Sequence, residues 1–241
     1  MRIIIVRHAE PDYAKDSLTE KGWHEAELLS QRLAKLDVTD FYVSPLGRAQ
    51  DTASLTLKKM DRTAETMEWL REFQTDIDRP DLGHRSTCAW DWMPKDWMSH
   101  PGYFDPDAWY EEPAMASGNV KEEYQRVIRN FEALLKKHGY ARKGKYYEVV
   151  RENHDTIVLF CHFGVECVLL SRLLNVSPMI LWHGFVAVPS SVTVIHSEER
   201  QQGTAVFRIA QFGDISHLYA GDEEPSFMAR YCECYSDKTL H

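Results

Sequence analysis

Long hydrophobic runs are missing from this chain of 241 residues. No stretch approaches the ~20 apolar residues of a membrane-spanning helix. The apolar run after Met1 is Ile3, Ile4, Ile5 and Val6 before Arg7 interrupts it, too short for the core of a secretory signal. Positive charge is in deficit: 28 Lys and Arg face 37 Asp and Glu, a formal net charge of −9. That balance excludes a general nucleic-acid or anionic-membrane surface, so an anionic ligand must be met by a few placed cations. Cysteine is scarce, with an odd five (Cys88, Cys161, Cys167, Cys232, Cys234) and no framework spacing. The single C-x-C of Cys232 and Cys234 lacks a second pair, so no zinc site is expected and reduced thiols in a cytoplasmic protein are the simplest account. Internal repeats and low-complexity tracts are also absent. What remains is an ordinary globular composition, 44% hydrophobic and 27% charged, long enough for one large core.

The run from Ile3 to Val6 is β-branched and apolar on both faces, as in a central strand covered by helices on each side. It ends abruptly in Arg7 and His8. Ser17 and Glu20 then have capping-box spacing, and Trp23, Ala26, Leu29, Leu33 and Leu36 recur at helical intervals. Phe41 to Ser44 reads as a short strand, and the following PLGRAQDTASLTLKK as a turn entering a helix. Residues 80–118 lose all period, carry Pro and Gly throughout, and hold Trp90, Trp92, Trp97 and Trp109. So long an irregular segment inside a compact domain is usually functional, and its aromatics argue against disorder; a cap inserted at 80–118 is expected. A helix over 121–138 buries Tyr124, Val127, Ile128, Phe131, Leu134 and Leu135, and 139–151 forms an exposed loop or hairpin. Thr156 to Cys161 is a second fully apolar strand, followed by His162 and another helix. FVAVPSSVTVIHS and TAVFRIAQF are two late strands.

Three strand-to-helix junctions carry residues suited to an anion: Arg7 and His8, Arg48, and His162. In open α/β sheets ligands bind beyond the carboxyl ends of the strands, where helix N-termini add free N–H groups. A neutral imidazole can attack phosphorus and hold a phosphoryl group, and arginine forks match the equatorial oxygens of its transition state. A carboxylic acid would then protonate the leaving oxygen.

These residues resemble the histidine phosphatase superfamily, the phosphoglycerate mutase-like group. Arg7-His8-Ala9-Glu10 is similar to its Arg-His-Gly-Glu signature, SPLGRAQDTA (Ser44 to Ala53) carries Arg48, and His162-Phe163-Gly164 matches its late His-Gly. LTEKG (Leu18 to Gly22) and DISHL around His217 match as well, so the likeness spans 1–79 and 155–218 and leaves the middle unmatched. The resemblance implies a single domain over 1–241 with a three-layer α/β fold, a mainly parallel central sheet and helices on both faces. It implies His8 as nucleophile and Arg7, Arg48 and His162 on the phosphoryl group; Gly22, within the LTEKG match, and Phe163, whose ring stands beside His162, are expected near the substrate. Leu70-Arg71-Glu72 fits the family's acid, with Glu68, Asp76 and Asp78 as rivals. Glu10 is read equally as structural or substrate-facing.

Ala9 stands where the family has glycine, Ala14 where it often has a phosphate-contacting Asn, and Phe163 sets a ring beside His162. The expected activity is a metal-independent phosphomonoesterase acting on a small phosphorylated metabolite, with no cofactor, no nucleic-acid or membrane partner, and room for a homodimer. The alternatives are a cofactor-dependent phosphoglycerate mutase and a catalytically weak phospho-ligand binding or scaffold protein. His24 and His138 are read as surface or boundary residues, and His84 and His100 as cap residues. His217 is left open as a pocket residue.

Overall fold

A computed structural model describes residues 1–226 and 234–236, so Cys232 lies outside the described residues. Eight strands form one sheet, in the spatial order Glu65–Thr66, Asp40–Val43, Thr156–Cys161, Arg2–Arg7, Val192–Gln201, Thr204–Asp214, Tyr146–Val149 and Tyr140–Lys143. The first four run parallel. From Arg2–Arg7 onward every pairing is antiparallel. Parallel pairing, expected through most of the sheet, therefore holds in the half that ends in Arg7, Ser44 and His162. The reason is local: two-residue turns such as Gln202-Gly203 (Gly203 at φ +78) fold the late strands back on themselves, whereas parallel neighbours need a helix between them.

The sheet separates two apolar layers. Ile4 and Val6 point to the face covered by the helices Glu20–Leu33 and Gly47–Met60, packing on Leu29, Leu33, Ala49 and Ala53. Ile3 and Ile5 point to the face covered by Val120–Lys137, Phe163–Leu174 and Pro178–Gly184, as the period of two requires. The Val120–Lys137 helix buries the six positions its spacing picks out, with Val120 in addition.

Some local expectations are corrected. Thr19, not Ser17, caps the first helix, accepting the Gly22 N–H at 3.0 Å, while Ser17 Oγ donates to Asp51 at 2.5 Å. His138 is 3% exposed; it contacts Asp155 at 3.0 Å and the Tyr42 hydroxyl at 3.0 Å, a buried network linking elements far apart in sequence. Its burial depends on partners that helical spacing cannot reveal.

Residues 76–119 are built differently. A hairpin (Asp76–Arg79 with Arg85–Cys88) leads into the short turns Pro94–Trp97, Pro101–Phe104, Trp109–Glu111 and Pro113–Ala116. Trp92, Trp97, Tyr103 and Trp109 are buried in the same apolar layer as the Val120–Lys137 helix. Trp109 meets Tyr124 and Trp182 edge-on at 5.3 and 5.4 Å, the arrangement favoured by ring quadrupoles. The ordered unit thus begins at Asp76, four residues before the loss of sequence period.

Candidate active site

Register brings the strand ends together. Arg7 pairs with Cys161 and Phe160 with Val43, so His8, His162 and Ser44 leave adjacent strands at one level. The backbone locks them there: His8 N–H donates to the Cys161 carbonyl at 3.0 Å and Ser44 N–H to the Phe160 carbonyl at 2.9 Å. Neighbouring strands lie about 4.8 Å apart, and the His8 and His162 ring centroids are 5.1 Å apart.

His8 is 2% exposed. Its Nδ1 lies 2.8 Å from the Ala9 carbonyl. A carbonyl only accepts, so Nδ1 carries the hydrogen and Nε2 keeps its lone pair. Burial, then the nearby Arg7, pushes the His8 pKa down to about 3. The ring is therefore neutral at physiological pH. His162 is likewise held well below the ordinary histidine range, by burial and then by His8. Its Nε2 lies 2.8 Å from Ser44 Oγ, which also accepts the Leu46 N–H at 3.3 Å. Its Nδ1 is buried without a partner.

Arg48 sits in the first turn of its helix, and its Nη1 donates to Asp16 at 2.7 Å while Asp16 also accepts the Gly47 N–H at 2.7 Å. Its guanidinium lies 5.4 Å from the Tyr13 ring. Thr52, one turn on, donates to the Arg48 carbonyl at 2.7 Å and accepts the Ala9 N–H at 3.0 Å, joining this helix to the backbone beside His8. Arg7 Nη1 donates to the Ala187 carbonyl at 2.5 Å, and its guanidinium lies 5.7 Å from the Phe163 ring. The Nε atoms of Arg7 and Arg48 are buried with no partner.

The carboxyl groups sort by environment. Glu72 Oε1 accepts the Phe73 N–H at 2.8 Å and the Val165 N–H at 3.0 Å, at the N-terminus of Phe163–Leu174. Burial raises its pKa, opposed by those N–H groups and by Arg7. Glu68 is 71% exposed and pairs with Arg71 at 3.0 Å. Asp76 and Asp78 lie exposed on the hairpin, Asp78 against His84 at 3.0 Å. Among these four only Glu72 faces the histidines' helix. Gly164 is what lets it in: a Cβ there would stand 2.6 Å from Glu72 Oε1 and 3.0 Å from Trp90 Nε1.

Other sequence candidates fall elsewhere. Gly22 packs directly on the Glu10 backbone, with no room for a Cβ, and its N–H is spent on Thr19. The geometry gives it a packing role. Glu10 takes the Thr19 hydroxyl at 2.8 Å and that of Ser226, which answers its open reading in favour of structure. His217 is buried and lies 3.1 Å from Ser190 Oγ, while Ser190 N–H donates to the His8 carbonyl at 3.0 Å. It backs the strand end and touches His8 only through Ser190. Among the described residues no group of three or more His, Cys, Asp or Glu could hold a metal ion, and no helix is long and apolar enough to cross a membrane.

Comparison with known proteins decides the family. A model of the histidine phosphatase superfamily (branch 1) matches residues 3–209.

The chain belongs to the histidine phosphatase superfamily.

Relatives include a phosphoserine phosphatase 1 of Hydrogenobacter thermophilus, 29% identical over 212 residues and covering 83% of this chain and 89% of the relative. An adenosylcobalamin/alpha-ribazole phosphatase of Salmonella typhi is 24% identical over 192 residues, 76% of this chain and 84% of the relative. Among solved structures, phosphoserine phosphatase from Entamoeba histolytica shares the fold at a TM-score of 0.59, with 18% identity over 90% of this chain and 98% of that one.

Two further residues of this histidine phosphatase were not singled out by its sequence. Glu166, in the first turn after His162, is 1% exposed with Oε1 unpartnered; burial pushes its pKa up to about 7. A lone Glu inside the apolar run GVECVLL was the available signal. Trp90 is the other: its Nε1 donates to the Phe73 carbonyl at 2.9 Å, and its ring meets Phe163 edge-on at 6.1 Å.

Proposed function

We propose that this protein is a metal-independent phosphomonoesterase that hydrolyses a small phosphorylated metabolite through a phosphohistidine at His8. The observation that carries the reading is a set of three buried donors without acceptors around the His8 ring: Arg7 Nε and His162 Nδ1 from strand ends, and Arg48 Nε from the first turn of the Gly47–Met60 helix. Buried donors left unpaired are costly, and a tetrahedral dianion supplies the missing acceptors. With the Ser44 hydroxyl donating to His162 Nε2, Nδ1 carries the ring hydrogen and joins that set.

The lone pair of His8 Nε2 attacks phosphorus while the bond to the ester oxygen breaks. The two arginines and His162 hold the equatorial oxygens as charge spreads over them. The leaving alkoxide takes a proton from Glu72. Because Glu72 Oε1 is occupied by backbone N–H groups, the acid proton resides on Oε2. In the second half the Glu72 carboxylate takes a proton from water, the water oxygen bonds to phosphorus, and the P–N bond breaks to restore neutral His8. The low pKa of His8 leaves the nucleophile unprotonated at neutral pH, and the raised pKa of Glu72 favours the acid form that the first step needs.

Phosphate release across sugar phosphates, nucleotides and phosphoacids, with and without chelator, tests the proposal. Turnover that survives chelator and vanishes in His8→Ala is expected. Turnover restored only by a specific divalent cation, or retained in His8→Ala, contradicts it.

A further inference from the structure

Trp90 is held in place by an unusual amount of buried polar structure. The Arg79 side chain is 3% exposed and its partner Asp81 1%. Arg79 pairs with both Asp81 oxygens at 2.7 and 2.6 Å. Its remaining donors go to the Trp90 carbonyl at 2.7 Å, the Cys88 carbonyl at 3.1 Å and the Asp91 carbonyl at 2.6 Å. Asp91 turns the chain at φ +70, a left-handed conformation that a non-glycine residue adopts only where its surroundings enforce it. A buried ion pair adds little net stability but fixes geometry. Here the geometry fixed is that of the Trp90 turn.

The indole so placed lies against the reaction centre. Its Nε1 donates to the carbonyl of Phe73, the residue after Glu72, and closes on Gly164 beside the Glu72 carboxyl. Its ring stands edge-on to Phe163, whose own face lies 5.7 Å from the Arg7 guanidinium. The Trp90 ring therefore stands beside the carboxyl group assigned to the leaving oxygen, and the Phe163 ring joins it to Arg7. Both are half-buried, so each retains surface for contact. The cation of this turn, Arg79, has no donor left for a carboxylate, since Asp81 and three carbonyls take its guanidinium.

We infer that Trp90 and Phe163 form the wall that selects the leaving group, and that this wall takes a phosphomonoester whose alcohol carries a planar apolar group one bond or so from the ester oxygen. The inference rests on the phosphatase reading above and names the substrate class of that same site. Rings favour ring faces and edges, and a pocket that fits an apolar group discriminates by about tenfold or more.

Benzyl phosphate and glycerol 1-phosphate test it, because both leave as alkoxides of similar basicity and differ in the ring. Wild-type kcat/KM should favour benzyl phosphate by about tenfold or more. Trp90→Leu should bring the two within about threefold, chiefly through KM for benzyl phosphate, and Trp90→Phe should restore most of the difference. A wild-type ratio near one, or an unchanged ratio in a folded Trp90→Leu, overturns the inference, and the wild-type ratio needs no variant to fold. Benzylphosphonate and ethylphosphonate, titrated against tryptophan fluorescence of the wild-type protein, read the wall without turnover. Tighter benzylphosphonate binding with no phosphate release from any ester would sustain the wall and sink the phosphatase reading. Equal binding alongside active hydrolysis would do the reverse.

Discussion

The strand-end platform and the 76–119 segment meet at Glu72 and Gly164, yet they are held in shape by different forces. On the platform, His8, Ser44 and His162 are placed by main-chain register: parallel pairing sets their level, and strand spacing sets the separation of the two rings. The segment has little regular pairing, and side chains hold it instead. Arg79 with Asp81 pins one turn, His183 Nε2 accepts the Trp92 N–H at 2.9 Å, and the Trp97 ring packs tilted against His183, centroids 4.9 Å apart. Register is the same for any substrate, whereas side-chain packing can be revised one residue at a time. On the proposals above, phosphoryl chemistry belongs to the platform, and leaving-group choice to Trp90 of the segment together with Phe163.

Damage to the platform should then be severe and indifferent to substrate. Arg48→Lys keeps the charge but loses the planar fork, and kcat/KM should fall by about 10²–10³-fold on every ester tested. A loss confined to one substrate class would break the division between the two regions.

Glu72 lies on the boundary and should show a split response. In Glu72→Gln, alkyl phosphates should slow by about 10²-fold or more, while p-nitrophenyl phosphate, whose leaving group needs little protonation, should slow far less in its first half-reaction. Equal fold losses in the first half-reaction for the two classes would remove the acid role from this residue.

Disturbing the segment should cost stability and alter ranking while sparing the chemistry. Arg79→Met leaves Asp81 buried without its partner and should destabilise the fold by about 3–5 kcal/mol, read by denaturant unfolding. The surviving folded enzyme should hydrolyse p-nitrophenyl phosphate within about tenfold of wild type and reorder its alkyl substrates. Unfolding free energy unchanged within error would mean that the pinned turn is not what holds the segment.

The smallest effect concerns Glu166, buried between the layers with a pKa pushed from 4.5 to about 7. Folded protein retains this proton where unfolded chain has released it. The stabilising contribution is complete below pH 4.5 and is lost as pH rises through 7, by about 3 kcal/mol in all. Glu166→Gln cannot ionise, so its stability relative to wild type should climb by about that much between pH 4.5 and 8. A difference that stays flat with pH would place an ordinary carboxylate there.

Legibility in the sequence follows the same division. Arg7, His8 and His162 stand at the ends of apolar strands and Arg48 at the start of the helix after a third, so position alone pointed to their convergence; Ser44 and Thr52 lay within the matched SPLGRAQDTA stretch, which gave them no role. Glu72 needed the family resemblance, because its fitness depends on N–H groups of a helix some ninety residues on. Gly22 matched a motif, but its glycine is explained by the close approach of the Glu10 backbone. Within the segment, aromatic content signalled order but gave no hint that Arg79 would pin Trp90 beside the site, since that contact is set by packing with no repeat to read. Glu166 was hidden for a related reason: burial of a single carboxyl is decided by what lies across from it.

Everything rests on covalent chemistry at His8. Rapid quench of the wild-type enzyme with a labelled phosphomonoester, followed by peptide mapping, examines it directly. An acid-labile, base-stable phosphoryl group on His8 is expected, formed at least as fast as the first turnover and absent from His8→Ala. Steady turnover by wild type with no label on His8 at any quench time, or label on His162 in its place, would contradict it.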